Sequence, residues 1–217
     1  LTTFVGAGNG FITTWYDQSG NSKNGTQTTT SNQPQIVNGG VIYTKNSKPA
    51  VYNTASKYLS LSANFTGTSG TLINVSSTFT DPSVPNGSPI GGIGTQATSS
   101  HQPWSDGNIY ETFATSVRKT VGNPTNNTTF LYIYNVVSDV NFFDVKINNT
   151  AFFNTTTNTV TYNTTTGSFF PKIGSGLATG PTFYYFEGYI SEIIVYTSNQ
   201  NSNISGINTN INSFYTI

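Results

Sequence analysis

Residues 15–24 read WYDQSGNSKN, an apolar pair that runs into a polar segment. Trp15 and Tyr16 have the strand propensity typical of aromatic residues. Because side chains alternate in direction along a strand, we expect one of the two in the core and neither as a strong binding site. The Asp-, Ser-, Gly- and Asn-rich residues that follow favour a turn. This junction between strand and turn is the most informative feature of the chain.

The turn itself is predicted to be held by its own side chains. Asp17, Ser19 and Asn21 can each accept hydrogen bonds from nearby backbone N–H groups, and Gly20 can adopt positive φ. Oxygen-bearing side chains at alternate positions are also a partial calcium pattern. A calcium loop needs more carboxylates than this, and Lys23 lies close by. We therefore interpret these residues as a structural turn, expect no cofactor or bound metal, and keep calcium as the weaker alternative.

The WYDQSGN pattern resembles a signature of concanavalin A-like (laminin G-like) domains of bacterial, phage and viral surface proteins. It also resembles the catalytic domain of fungal α-L-arabinofuranosidase B. Further matches follow in the order of the family: NQPQIV at 32–37 with KPAV at 48–51, WSDGNIY at 104–110, and FEGYISEI at 186–193. The resemblance implies an all-β jelly-roll sandwich of two antiparallel sheets. It implies no particular activity, because this fold carries lectins, enzymes and structural modules.

Length and composition limit the possible functions. A chain of 217 residues suits one sandwich domain spanning 1–217. Charged residues are 7% of the chain with zero formal net charge, which argues against nucleic acid as a partner. No apolar run reaches the roughly 18 residues of a membrane span, and no cysteine is present. The start at Leu1, together with the resemblance, leads us to expect a piece of a longer or processed chain.

Strand signals fill most of the sequence. Residues 11–16 read as one strand, and residues 130–137 form a dense apolar run typical of an inner strand. In residues 143–147 the apolar positions share one face, and the following Asn148-Asn149 predicts a hairpin turn. Short strands at this spacing favour a sandwich.

The C-terminus changes from strand to helical periodicity. Apolar residues recur at positions 204, 207, 211 and 214, which predicts a short helix over about 202–214. Ser202 or Asn203 is expected as the N-cap. The segment is rich in Asn, so we expect the helix to form by docking its Ile-bearing face on the sandwich.

The acidic residues do not form an obvious glycosidase pair. Such enzymes usually need two carboxylates on either side of one sugar bond. Glu187 and Glu192, like Asp106 and Glu111, are separated by an odd number of residues, so a regular strand directs them to opposite faces. No position here matches the catalytic carboxylates of the arabinofuranosidase. We therefore expect a domain that is not an enzyme, with hydrolase activity as a minor alternative.

The segment from His101 to Tyr110 is the best candidate for ligand binding. Trp104 offers a flat ring for the C–H face of a sugar, and Tyr110 offers both a ring and a hydroxyl. The hydrogen-bonding residues that complete the candidate site are His101, Gln102, Asp106 and Asn108. In the competing interpretation, Trp104 is a core residue and Asp106-Gly107 is only a tight hairpin turn. His101 alone is expected to be a solvated loop residue.

The leading hypothesis is a surface domain that binds glycans outside a cell or virion. The alternative is a structural surface, fibre or capsid-decoration domain whose partners are neighbouring surface-protein subunits. A homo-oligomer or array is compatible with both hypotheses. Neither involves nucleic acid or membrane insertion.

Overall fold

A computed structural model describes residues 1–79, 86–94, 99–124, 131–165, 170–176 and 184–217. Every strand pairing within these residues is antiparallel, as the sequence predicts for an all-β sandwich. The larger sheet has nine strands: β1 (Gly10–Phe11), β4 (Gln35–Asn38), β5 (Val41–Ile42), β8 (Val51–Asn53), β10 (Gly70–Thr78), β14 (Tyr132–Asp139), β15 (Phe142–Ile147), β16 (Thr150–Thr155) and β20 (Gly188–Tyr196). Their order across the sheet is β1-β4-β8-β20-β10-β14-β15-β16, with β5 paired to β4.

The smaller sheet has five short strands: β2 (Thr14–Trp15), β3 (Gly25–Thr26), β9 (Leu59–Leu61), β11 (Ile90–Gly91) and β17 (Lys172–Ile173). Their order across the sheet is β11-β17-β9-β3-β2. Three separate two-stranded pairs complete the described strands. They join β6 (Thr44–Lys45) with β7 (Lys48–Pro49), β12 (Ile109–Glu111) with β13 (Lys119–Gly122), and β18 (Ser175–Gly176) with β19 (Tyr184–Tyr185).

The main core lies between the two sheets. Leu59 of β9 and Ile173 of β17 pack into the same buried cluster as Leu72 of β10, Tyr134 of β14 and Phe143 of β15. Alternation along β10 and β14 sends every second side chain into this core and the others to the outer face of the large sheet. Burial of these apolar groups from both sheets is what makes the structure a sandwich.

The segment at residues 11–16 is not one strand. β1 joins the large sheet and β2 joins the small one, and the chain crosses between them at Ile12 and Thr13. The predicted alternation is present, since Trp15 packs against the core and Tyr16 is exposed. The periodicity of side chains could not reveal this change of sheet, because two short strands in line have the same alternation as one long strand.

The turn after β2 is tied by side chains. The Asp17 carboxylate accepts hydrogen bonds from the backbone N–H groups of Ser19 at 2.8 Å and Lys23 at 3.0 Å. The Asn21 N–H donates to the Ser19 hydroxyl at 3.3 Å. Hydrogen bonding, first of all from Ser19, lowers the pKa of the Asp17 carboxyl. Gly20 lies at φ +82°, a conformation that side chains disfavour.

Two α-helices occur in the described residues: α1 (Thr2–Val5) near the N-terminus and α2 (Ile204–Tyr215) at the C-terminus. Helix α2 confirms the predicted C-terminal helix, begins after the N-cap residue Asn203, and docks on the outer face of the large sheet through Ile204 and Ile211. At the centre of this contact Asn208 and Asn135 of β14 exchange two amide hydrogen bonds, of 2.7 and 2.9 Å. Neither helix is long and apolar enough to cross a membrane, within the described part of the chain.

Beyond the end of α2, the outer face of the large sheet carries a group of aromatic rings. Tyr43 and Tyr52 stack at 4.6 Å, and Tyr189 meets the edge of Tyr52 at 5.6 Å. Phe79 lies 5.2 Å from Tyr189, and the ammonium of Lys45 lies 4.5 Å above the Tyr189 ring. These rings cover the part of the sheet that the helix does not reach.

The β15–β16 turn is a hairpin at Asn148 and Asn149, as the sequence predicts. Both residues have positive φ, 49° and 67°, which asparagine tolerates better than most side chains.

Candidate functional site

Residues 101–110 form a hairpin at one end of the small β12–β13 sheet. His101 and Tyr110 face each other across the hairpin through two backbone hydrogen bonds of 2.8 and 3.0 Å. The Trp104 N–H donates to the Asn108 carbonyl at 2.8 Å, and Gly107 at φ +85° closes the turn. The sequence between Trp104 and Tyr110 therefore folds back on itself and presents its side chains as one group.

Backbone contacts bring a distant strand beside this hairpin. Gly87 donates its N–H to the Tyr185 carbonyl at 2.9 Å and accepts from the Gln102 N–H at 3.1 Å. A side chain at Gly87 would collide with the Tyr184 carbonyl, so the close approach requires glycine. This packing places the Tyr184 ring 5.1 Å from Trp104 and 4.9 Å from His101.

His101, Trp104 and Tyr184 form a group of three aromatic rings, of which His101 is the buried member. It is 1% exposed, its ring lies 4.3 Å from Trp104, and its Nδ1 lies 2.7 Å from the Asn86 carbonyl. A carbonyl oxygen can only accept, so Nδ1 carries the proton. Burial lowers the pKa of His101 to about 4, against the opposing effect of that hydrogen bond. The expectation of a solvated loop histidine is wrong, because the hairpin and Tyr184 enclose the ring.

The surface of the same group is polar as well as aromatic. Trp104 and Tyr110 are half-buried, and Asp106 is exposed. The Asp106 carboxylate accepts from the Tyr110 hydroxyl at 2.7 Å and from the Asn108 N–H at 2.9 Å. A carboxylate has about four acceptor positions, so capacity remains for ligand hydroxyls. The hydrogen bond with Asp106 is the main cause that raises the pKa of Tyr110.

The hydrogen bonds that Asp106 accepts favour the ionised form of its carboxyl. Desolvation pushes the pKa of its carboxyl upward, but the hydrogen bonds from Asn108 and Tyr110 outweigh that effect and hold the pKa below its ordinary value. Asp106 is therefore an anionic acceptor at neutral pH.

One further side chain completes the surface. The guanidinium of Arg118 lies 4.6 Å from the centroid of the Tyr110 ring and is exposed. Arg118 and Tyr184 were not among the residues predicted for this site. Arg118 comes to Tyr110 because β13, which follows it directly, pairs with β12, and Tyr184 lies more than 70 residues beyond Tyr110 along the chain. Arg118 is the only arginine in a chain with few charges, and that rarity was a usable signal.

The six predicted ligand-binding residues divide into two sets. Trp104, Asp106, Asn108 and Tyr110 lie together at the surface. His101 and Gln102 are each 1% exposed. The Gln102 side chain points to the interior, where its Oε1 accepts from Asn74 at 3.4 Å. Neither buried residue can meet a ligand at the surface.

Glu111 marks a separate polar cluster inside the sandwich. Its Oε1 accepts from the Ser100 hydroxyl and from the backbone N–H groups of Thr112 and Phe113, at 2.8 to 3.1 Å. Its Oε2 accepts from the Tyr134 hydroxyl at 3.1 Å. Burial raises the pKa of Glu111 despite these bonds. Since Tyr110 and Glu111 are neighbours on β12, their side chains point in opposite directions, and Glu111 lies away from the surface group.

Glu187 and Glu192 lie on either side of an irregularity in β20. Val75 pairs with Glu192 and Ser76 with Ile190, so Ser191 is an extra residue. This bulge places Glu192 on the same face as Tyr189, which a regular strand would not do. The Phe79 N–H donates to the Glu187 carbonyl, so Glu187 lies opposite Phe79, about four residues beyond Val75, the partner of Glu192. The backbones of the two glutamates are therefore roughly 13 Å apart, longer than the spacing of a glycosidase pair.

Two other features do not provide a ligand site. A cavity of about 90 Å³ lies beside helix α2 and is lined by asparagines, including Asn148, Asn149 and Asn208. It is far smaller than the roughly 300–1,000 Å³ of ligand pockets. Within the described ranges, no group of three or more His, Asp or Glu side chains could hold a metal ion.

Similarity to known proteins is found only at the level of solved structures. No family model and no curated protein matches the sequence. Among solved structures, a Trypanosoma rangeli sialidase bound to the inhibitor DANA aligns over 91% of this chain and 30% of its own, with a TM-score of 0.56 and 12% identity. An arabinofuranosidase complexed with arabinofuranosyl-α-1,2-xylobiose aligns over 95% and 52%, with a TM-score of 0.54 and 14% identity.

A proposed carbohydrate-binding protein of Bacteroides ovatus aligns over 79% of this chain and 53% of its own, with a TM-score of 0.54 and 14% identity. The chain thus corresponds to about half or less of each of these proteins. At such identities the likeness shows a shared fold, and no residue role is carried across.

These neighbours correct one prediction from the sequence. We expected a domain that is not an enzyme, and the comparison contradicts this because the structures that share its fold are mainly glycosidases. The prediction rested on the lack of an evident carboxylate pair in the sequence, and spacing along a chain does not show which carboxylates the fold brings together. Asp81, one of the eight acidic residues, lies outside the described residues.

Proposed function

We propose that this chain is a concanavalin A-like domain that binds glycans at the surface formed by Trp104, Asp106, Asn108, Tyr110 and Tyr184. We further propose that it acts outside a cell or at a virion surface, where glycans are displayed. The fold shared with carbohydrate-active proteins supports the proposal. The site residues come from the geometry of this chain alone.

The observation that carries the proposal is the half-buried Trp104 ring beside the exposed Asp106 carboxylate. His101 and Tyr184 meet Trp104 in edge-on contacts, with interplanar angles of 66° and 77°. These contacts fix the indole while part of it remains open to solvent. A fixed aromatic ring next to ionised and amide hydrogen-bonding groups matches the apolar and hydroxyl-bearing parts of a sugar.

We expect weak monovalent affinity, because the proposed contact consists of half-buried rings and a few polar groups on one hairpin. A Kd of about 0.1–1 mM corresponds to roughly 4–5.5 kcal/mol. Useful attachment then depends on several copies displayed together, which raises the effective affinity through avidity. A homo-oligomer or array of neighbouring surface-protein subunits would provide such copies.

A glycan array tests the proposal. The domain is displayed as a tetramer on streptavidin so that weak binding is detected, and each positive glycan is then titrated with the monomer. Binding to a defined set of related glycans supports the proposal. Uniform absence of binding at millimolar glycan would contradict it and favour a structural surface, fibre or capsid-decoration role.

Each bound glycan is also incubated with the domain and analysed by mass spectrometry. This step is needed because the structural neighbours include glycosidases. Release of a sugar would extend the function from binding to hydrolysis, and a glycan that stays intact would limit it to binding.

A further inference from the structure

Arg118 is a feature of the site that sugar stacking alone does not use. It is the only arginine of the chain, and it lies at the same surface as Trp104 and the only histidine. Its guanidinium lies over the Tyr110 ring at 4.6 Å, an arrangement favoured by the interaction of a cation with an aromatic face. This contact places the guanidinium at the site, where it is exposed.

The charge of Arg118 is not neutralised by the described part of the protein. The one ion pair within 4.0 Å in that part joins Lys146 to Asp144. Asp106, the acidic residue of the site, instead binds the Tyr110 hydroxyl and the Asn108 N–H. Arg118 makes no hydrogen bond with another described residue. Its N–H groups are therefore available to a ligand.

The neighbouring cation does not share this role. Lys119 follows Arg118, but its ammonium donates to the Thr157 carbonyl at 2.8 Å and lies 5.7 Å from the Phe143 ring. Alternation along the chain sends the two side chains in different directions. Arg118 is thus the positive group at this surface in the described ranges.

We propose that the site takes a sugar bearing a carboxylate, and that Arg118 selects for it. The inference rests on the function proposed above and names the class of glycan. A planar guanidinium can donate two parallel hydrogen bonds to one carboxylate, and the exposure of Arg118 leaves its N–H groups accessible. In this arrangement the sugar ring contacts Trp104, a hydroxyl donates to Asp106, and the carboxylate lies on the Arg118 side, away from Asp106.

Matched pairs of glycans that differ in charge test this selection. One arm compares trigalacturonate with its methyl ester, and the other compares sialyllactose with lactose. They distinguish a hexuronic acid from a sialic acid as the source of the carboxylate. We expect at least one acid to bind about tenfold more tightly than its neutral counterpart, which corresponds to one charge-assisted interaction. Equal affinity within both pairs, or no binding in either, would overturn the proposal.

Variants assign the selection to Arg118. Arg118→Gln should reduce binding of the acid about tenfold, to the level of the neutral counterpart, and Arg118→Lys should restore part of it. The matched control is Lys45→Gln, which removes a cation held over the Tyr189 ring on the outer face of the large sheet. This control should leave both affinities unchanged. Equal losses in Lys45→Gln and Arg118→Gln would show a general charge effect and contradict the proposal.

The outcomes separate this inference from the function on which it rests. Trp104→Ala should weaken the binding of acidic and neutral glycans alike, since it removes the ring that both contact. If Trp104→Ala weakens binding but Arg118→Gln leaves the ratio of acidic to neutral affinity unchanged, glycan binding stands and the role of Arg118 is wrong. A preference for sulfated over carboxylated glycans would also overturn the carboxylate assignment. Melting curves confirm that each variant is folded.

Discussion

The hydroxyl of Tyr110 donates a 2.7 Å hydrogen bond to the carboxylate of Asp106. This bond ties the turn of the surface hairpin to the strand that follows it, and it places an anion beside a phenol ring over which the Arg118 guanidinium lies. Three kinds of chemistry are thereby held in one small area of a chain that has few charges. We regard this alignment as the basis of the candidate site.

The Asp17 turn provides the first prediction. Asp17→Ala leaves the N–H groups of Ser19 and Lys23 without their acceptor, and these groups are close enough to solvent for water to replace it in part. We expect the free energy of unfolding to fall by about 1 kcal/mol. Chemical denaturation measures it. Gln18→Ala, at an exposed position in the same turn, is the control and should have almost no effect. Similar stability of the two variants would show that the Asp17 bonds do not hold the turn.

The buried histidine predicts a specific dependence of stability on pH. The pKa of His101 is about 4 in the folded protein and 6.5 for an ordinary histidine. Between these values the unfolded chain binds more protons, so stability falls as the pH decreases from about 6.5 to about 4. The loss amounts to roughly 3 kcal/mol.

Nuclear magnetic resonance measures this pKa directly, because the chain has a single histidine and hence one set of imidazole signals. We expect the imidazole signals to remain those of the neutral ring down to about pH 5. A midpoint near 6.5 would mean that the ring is solvated, and the enclosed aromatic group described above would be wrong.

Glu111 should have the opposite pH dependence. Burial raises the pKa of its carboxyl, so the folded protein holds the proton at pH values where the unfolded chain, with a pKa near 4.5, releases it. This contribution to stability is present below pH 4.5 and is lost as the pH rises through the folded pKa. Glu111→Gln stays neutral and keeps an acceptor for Thr112 and Phe113. We expect it to gain stability relative to wild type as the pH rises.

A second variant isolates the hydrogen bonds of Glu111 from its charge. Glu111→Ala leaves the buried N–H groups of Thr112 and Phe113 unpaired and opens a cavity, so it should be about 2–4 kcal/mol less stable than Glu111→Gln at every pH. Denaturation curves from pH 4 to 8 test both variants. Parallel pH profiles for wild type and Glu111→Gln would contradict the assignment.

The amide pair between Asn135 and Asn208 determines how α2 docks. Asn208→Ala leaves a buried amide of Asn135 without its partner, and we expect a loss of about 2 kcal/mol. Replacing both with Leu should be less harmful than the single change, since no polar group is then left unpaired. If the double variant is the less stable of the two, the apolar contacts of Ile204 and Ile211 must depend on the amide pair for their register.

Local patterns predicted much of the fold. The Asp17 turn, the Asn148-Asn149 hairpin and helix α2 all follow from residues close together in sequence. The change of sheet between β1 and β2 could not be predicted, because it depends on which partner strands are available. The bulge at Ser191 has the same origin, since it is a property of the β10–β20 register and not of β20 alone.

The site was predictable to a similar extent. Trp104, Asp106, Asn108 and Tyr110 belong to one hairpin, so their proximity was visible in the sequence. The direction of His101 and Gln102 into the interior depends on packing against Asn86 and Asn74, which lie far away in the chain. Tyr184 comes from a strand more than 70 residues further on, and no local pattern connects it to the hairpin.

The affinity of Trp104→Ala for a glycan identified on the array tests the central claim most directly. Isothermal titration with the wild type should give a Kd of about 0.1–1 mM, and Trp104→Ala should weaken binding at least tenfold. The control is Tyr16→Ala, which removes another exposed aromatic ring far along the chain and should bind as the wild type does. Undiminished affinity in a folded Trp104→Ala variant would contradict the account.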